Sequence, residues 1–117
     1  MTVADVIDYC LTRDGAEVAT PFEPEVLVYK VMGKVFALTD PDEYPPFVNL
    51  KCDPDRASEL RDAYEAIRPG YHMNKKHWNS VYLDETLPAG LVRELIDHSY
   101  ELVVQSLKKS DREKLKG

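Results

Sequence analysis

The chain has 117 residues, of which 44% are apolar and 31% are charged, and its formal net charge is −6 at pH 7. This length predicts one domain over residues 1–117, large enough to enclose a core without stapling by disulfides or metals. The acidic balance excludes a uniformly basic nucleic-acid-binding protein. No apolar run reaches the roughly 18 residues of a membrane-spanning helix, and we expect no signal peptide. With two isolated cysteines, Cys10 and Cys52, these features predict a cytoplasmic protein whose thiols are buried.

Three segments show the apolar spacing of amphipathic helices. They are residues 2–13, a segment that begins at Asp53-Pro54, and residues 88–107. Thr2 and Asp5 can form a capping box, and Asp53 can accept hydrogen bonds from free backbone amides ahead of Pro54. The charged tail, residues 108–117, is predicted to be frayed.

The remaining apolar runs predict β-strands. These runs are residues 18–20, 26–31, 34–38, 47–52 and 79–83. Met32-Gly33 predicts a hairpin turn, although a strict type I′ turn would place Met32 at positive φ and so leaves the register open by one residue. Because the connections between strands are of the hairpin type, we expect an α+β fold in two layers, an antiparallel sheet covered by helices.

The charges are unevenly distributed along the chain. Residues 1–65 contain 14 acidic and 6 basic side chains, whereas residues 66–83 contain Arg68, Lys75 and Lys76 and no acid. The same window holds other side chains that can stack on bases or bond to them, including His77, Trp78 and Asn79. Lys and Arg neutralise phosphates, aromatic rings stack on bases and Asn bonds phosphates or base edges, so this mixture suits a nucleic-acid site.

A simpler interpretation of the same window stays open. Trp78 and Tyr82 have the parity of one strand face, so both can belong to the core. Lys75 and Lys76 would then form an exposed turn between two strands.

Three segments closely resemble the MmcQ/YjbR family. They are Asn49–Pro54 (NLKCDP), Pro69–Asn79 (PGYHMNKKHWN) and Glu94–Tyr100 (ELIDHSY). The resemblance covers nearly the whole chain and implies a CyaY-like sandwich with an antiparallel sheet. It also implies DNA binding through a double-wing arrangement of β-hairpins, carried here by residues 68–79 and Lys51. The chain departs from the family pattern at Glu23, where a glycine is frequent. This residue adds an acid near one of the wings expected to bind DNA.

We therefore expect weak, salt-dependent binding of DNA or a similar polyanion, with no cofactor and no enzymatic activity. Arg68, Lys75 and Lys76 would contact phosphates, and Lys51 would extend the patch; we call these four cations the cationic island. His77, Trp78 and Asn79 would supply stacking or polar contacts. A protein-interaction module could use the same window, and this alternative stays open.

A CyaY-like metal-binding protein is a second alternative. Asp5 and Asp8 can share a helix face, with Asp14 and Glu17 beyond it, and hard cations need several converging oxygens. Spread acids of this kind are more typical of a solvated face. His72 and His77 with Cys52 form a weak zinc pattern.

Catalysis is not expected at His98-Ser99. Neighbouring residues on a helix point about 100° apart, so these two do not form a nucleophile–base pair. We expect His98 to contact Glu94 and Glu101 at the surface. Ser99 is expected to allow close packing of helix on sheet and to bond the Leu95 carbonyl.

Overall fold

The computed structural model describes residues 1–22 and 26–117, so the predicted departure at Glu23 lies outside the described residues. The elements are α1 (Val3–Leu11), β1 (Ala16–Phe22), β2 (Val26–Val31), β3 (Lys34–Thr39), β4 (Phe47–Lys51), α2 (Pro54–Ala63), β5 (Ile67–Pro69), β6 (Trp78–Tyr82), α3 (Ala89–Gln105) and α4 (Lys109–Leu115). The strands form one antiparallel sheet in the order β1-β2-β3-β4-β6-β5. The predicted α+β class, with a sheet covered by helices, is confirmed.

The local signals at helix starts have the predicted geometry. The Thr2 hydroxyl accepts the Asp5 N–H, and the Asp5 carboxylate accepts the Thr2 N–H, which completes the capping box. Asp53 accepts the Arg56 N–H, and Pro54 occupies the first position of α2. Within the described residues, no helix is both long and apolar enough to cross a membrane.

The hairpin between β2 and β3 has the tight turn whose register the sequence left open. Met32 and Gly33 have φ of 49° and 81°, and Val31 pairs with Lys34. Two consecutive residues in the left-handed region are the requirement of a type I′ turn. Met32 therefore adopts the uncommon conformation that the sequence analysis considered.

The core lies between the sheet and the helices. Its largest fully buried side chains include Tyr29, Phe36, Ile67 and Ile96, from three strands and α3. Ser99 of α3 is also completely buried. Its hydroxyl donates to the Phe36 carbonyl and accepts the Lys51 N–H, at 2.5 and 2.9 Å.

The contacts of Ser99 agree with the predicted close packing of helix on sheet but correct the predicted hydrogen-bond partner. Close packing of α3 on the sheet is present, but the hydroxyl bonds β3 and β4 and not the Leu95 carbonyl. The regular pairing of β3 with β4 ends at Ala37 and Leu50, so Phe36 and Lys51 are the next residues along the ladder. Ser99 therefore supplies the hydrogen bonds that the two strands no longer make to each other.

The predicted frayed tail is wrong, because residues 109–115 form α4. Leu115 of this helix packs against the core cluster and lies over Gly15, where an added Cβ would collide with the leucine Cδ1. The prediction of fraying followed from the many charged residues of the tail, whereas the packing of a single apolar residue, Leu115, holds the helix against the core. β5 was not predicted either, since it spans three residues and ends in proline.

Candidate nucleic-acid interface

Strand register decides which predicted site residues share a surface. Val48, Leu50 and Val81 belong to the core, so their alternating neighbours point away from α1 and α3. We call this second side of the sheet the open face. Lys51 pairs with Trp78 across β4 and β6, and both belong to the open face by this parity.

Arg68 joins the same face from the edge strand β5. It pairs with Ser80, and its guanidinium lies over the Tyr82 ring at 5.1 Å from the ring centroid. Its Nε donates to the Glu65 carbonyl, and the side chain is otherwise exposed. The pKa of Asp84 is lowered, chiefly by hydrogen bonds from Thr86 and least by the nearby charge of Arg68.

Trp78 and Tyr82 share one face of β6, as their spacing in the sequence predicted. This is the open face and not the core, and both side chains are half-buried there.

The loop between β5 and β6 folds over the centre of the open face. Gly70 N–H donates to the Trp78 carbonyl, Tyr71 N–H donates to the Ser80 hydroxyl, and the Asn49 amide donates to the Tyr71 carbonyl, at 2.8 to 3.1 Å. A Cβ at Gly70 would lie 2.8 Å from the Trp78 Cβ. Glycine at this position therefore permits the close approach of the loop to β6.

Further bonds fix the lysines at the far end of this loop. The Lys75 Nζ donates to the Gly70 carbonyl at 3.0 Å, which places its charge close to the Trp78 backbone. The Asn74 side chain accepts the N–H groups of Lys76 and His77. Lys76 itself is exposed.

In the described part of the chain, the side chains of the cationic island form no ion pair with a carboxylate. The ion pairs there join Arg13 to Asp97 and Arg56 to Glu94, and neither involves an island residue. Lys51 lies opposite Trp78 on β4, and Lys75 is bound at Gly70, whose N–H donates to the Trp78 carbonyl. Arg68 lies on the same face of β5, over the Tyr82 ring.

Asn79 does not belong to the site, and its predicted role is wrong. It is 2% exposed on the helix side of β6. Its Oδ1 accepts the Arg61 Nε–H at 2.6 Å, and its amide donates to the Ala57 carbonyl at 3.5 Å. Consecutive strand residues face opposite sides, so Trp78 and Asn79 could not both lie on the open face. His77 is half-buried, and its carbonyl accepts the Cys52 N–H.

Several residues that shape this surface were not predicted from the sequence. Tyr71 is 49% exposed and its ring meets Phe47 edge-on, with centroids 5.9 Å apart. The buried Ser80 and Asn49 bond to each other below the loop. Strand parity could have placed Asn49 and Ser80 opposite each other, but the fold of the loop has no local sequence signal.

The side chains considered for metal binding have other environments. Cys10 and Cys52 are buried free thiols, and burial raises their pKa values to about 12 and about 11. Protonated thiols are poor metal ligands and poor nucleophiles. Over residues 1–22 and 26–117, no three His, Cys, Asp or Glu side chains converge as a metal site would require.

Comparison with known proteins gives consistent matches. The YjbR family model matches residues 11–102. The chain is 45% identical to the uncharacterized protein YbdF of Escherichia coli O157:H7 over 86% of this chain and 82% of that protein. It is 36% identical to the uncharacterized protein YjbR of Escherichia coli K12 over 98% of both. A crystal structure of a Deinococcus radiodurans protein with a DUF419 domain superposes with a TM-score of 0.90 at 43% identity, covering 97% of this chain and 87% of that one.

Proposed function

The chain belongs to the YjbR family, and we propose that it binds DNA, or a similar polyanion, weakly through the cationic island. The observation that supports this proposal is the position of Lys51 and Lys75 beside Trp78 and of Arg68 on the same face, with no member of the island paired with a carboxylate in the described residues. Each unpaired cation can replace a counterion on a phosphate, which drives association at low salt.

The rest of the molecule sets the strength of this binding. A net charge of −6 repels a polyanion over most of the surface, so affinity depends on the island alone. Trp78 is half-buried, which leaves part of one ring for stacking on an exposed base. The proposal assigns no catalytic role to His98 or Ser99, since both hold backbone N–H groups of other elements.

The test is a fluorescence-anisotropy titration of labelled duplex and single-stranded DNA at several salt concentrations. About three phosphate contacts, made by Arg68, Lys75 and Lys76, give a slope near −3 in a plot of log affinity against log salt for duplex DNA. A Lys75→Ala/Lys76→Ala double variant should weaken binding and reduce that slope by about 2.

A matched control separates the island from net charge. Lys108→Ala/Lys109→Ala removes two charges of the same kind from adjacent exposed residues at the start of α4, and it should leave the slope nearly unchanged. Absence of binding at low salt, or equal losses in the two double variants, would refute the proposed site.

A further inference from the structure

A long groove on the open face lies beside the cationic island. Its described lining comes from β2, β3 and β4 on one side and from the loop residues Tyr71, His72 and Met73 on the other. Its volume is about 580 Å³. Clefts of roughly 300–1,000 Å³ are the size that encloses a small organic ligand.

The floor of the groove is apolar. Val28 pairs directly with Leu38, and Val35 lies one step along the same face opposite Lys30. Phe47 and Tyr71 close one wall with edge-on rings. The polar groups beneath the loop are already satisfied, because Asn49 and Ser80 bond each other and the Tyr71 backbone.

The two ends of the groove carry opposite charges. Lys30 lines one end, and its amine has no hydrogen bond or ion pair with any residue in 1–22 or 26–117. Asp40 and Glu43 line the groove as well, and Asp40 follows Thr39, which pairs with Leu27. The four steps of β-strand from Lys30 to Val26 span about 13 Å, so the cationic end and the acidic end of the groove are well separated.

We propose that this groove binds a small amphipathic acid, with its apolar body over Val35 and Leu38, which are half-buried, and its one anionic group at Lys30. A single negative charge suits the site, because the carboxylates at the other end repel a second one. The apolar body follows from a floor that offers no free donor or acceptor side chain for a polar ligand.

The same geometry disfavours a peptide as the occupant. β2 and β3 pair with neighbours on both sides, so the backbone groups of the floor are used within the sheet. A peptide laid on this face would bury amides without partners, whereas an aliphatic or aromatic acid has none to satisfy.

The probe for the test is the dye anilinonaphthalene sulfonate, itself an apolar ring system with one anion. Its fluorescence should rise on binding, and octanoate should displace it more strongly than octanol, while octylamine should displace it least. The far-ultraviolet circular dichroism of each variant below must match that of the unmodified protein.

Two variants with opposite effects locate the anion. Lys30→Gln should raise the Kd for octanoate about tenfold and leave the Kd for octanol unchanged, because a charge-assisted contact is lost. Glu17→Gln should lower the octanoate Kd, since Glu17 pairs across from Lys30 on β1. Lys34→Gln is the control, because that amine donates to the Ser106 carbonyl on the helix side.

Several outcomes would overturn the proposal. They are no fluorescence change with the dye, equal displacement by all three octyl compounds, or equal effects of Lys30→Gln and Lys34→Gln. The result is independent of DNA binding. Lys75→Ala/Lys76→Ala should keep the octanoate affinity, and Lys30→Gln should keep the salt slope for DNA.

Discussion

The two faces of the sheet use polar side chains in opposite ways. On the helix side, Ser99 and Asn79 are buried, and each bonds groups of other elements of the fold. On the open face, Lys51 and Arg68 have no carboxylate partner in the described part of the chain. Buried bonded groups stabilise a fold, whereas exposed unpaired cations are available to a ligand.

This contrast predicts which property a substitution changes. A substitution on the helix side should lower the free energy of unfolding, and the molecules that remain folded should bind the ligand with unchanged affinity. A change of an exposed cation should do the reverse, because surface substitutions usually alter stability by less than about 0.5 kcal/mol.

Ser99→Ala should be the most damaging of these substitutions. It removes the hydroxyl that joins β3 to β4, and leaves the Phe36 carbonyl and the Lys51 N–H buried without a partner. We expect a loss of about 3 kcal/mol in the free energy of unfolding, measured by urea denaturation.

Ser106→Ala is the matched control, because that hydroxyl bonds the Val103 carbonyl of its own helix at an exposed position. It should change stability by less than about 0.5 kcal/mol. Similar losses in the two variants would show that the bridge between the strands does not stabilise the fold.

Asn79→Ala tests the residue that the sequence assigned to the wrong face. It leaves the Arg61 guanidinium without its side-chain acceptor, so we expect a loss of about 2 kcal/mol in the free energy of unfolding. DNA affinity, measured by anisotropy where the protein is fully folded, should stay unchanged. A weakened affinity with unchanged stability would return Asn79 to the binding surface and break the contrast between the faces.

The sequence predicted features set by neighbouring residues. The capping box of Thr2 and Asp5, the Asp53-Pro54 helix start and the turn at Met32-Gly33 each depend on a few consecutive side chains. Strand parity also placed Trp78 with Tyr82 on one face. These signals were sufficient for the α+β class and for the position of most elements.

Features set by distant residues could not be predicted. Ser99 finds its partners 63 and 48 residues away, and Asn79 meets Arg61 across 18 residues. The groove combines three strands with a loop whose path follows from the Asn49 and Ser80 bonds. Such contacts form only when the sheet has assembled, so no local sequence pattern predicts them.

Leu115→Ala asks whether α4 belongs to the covered side of the molecule. The leucine is half-buried over Gly15 and packs against the core cluster, so its truncation should cost about 1 kcal/mol, less than at a fully buried site. Lys114→Ala, one residue earlier and exposed, is the control in the same urea experiment. An unchanged midpoint for Leu115→Ala would restore the frayed tail that the sequence predicted.

The smallest effect should come from His98, where the helix side responds to pH. Burial first and the Arg56 charge second lower its pKa below the ordinary value of 6.5, while Glu94 and Asp53 oppose them. Its Nε2 accepts the Asp53 N–H at 3.2 Å, a bond that only the neutral ring can make.

A lowered pKa in the folded state means that the unfolded chain binds the proton more tightly. The stabilisation is therefore complete above about pH 6.5 and is lost as the pH falls through the lower folded value. The melting temperature should drop between pH 7.5 and pH 5.5, and His98→Gln, whose amide oxygen can accept the same N–H, should drop less. His72→Gln changes an exposed imidazole beside the open face and should keep the full drop. If both variants lose the pH dependence equally, the open face also contributes to stability, and the two sides of the sheet are not separable.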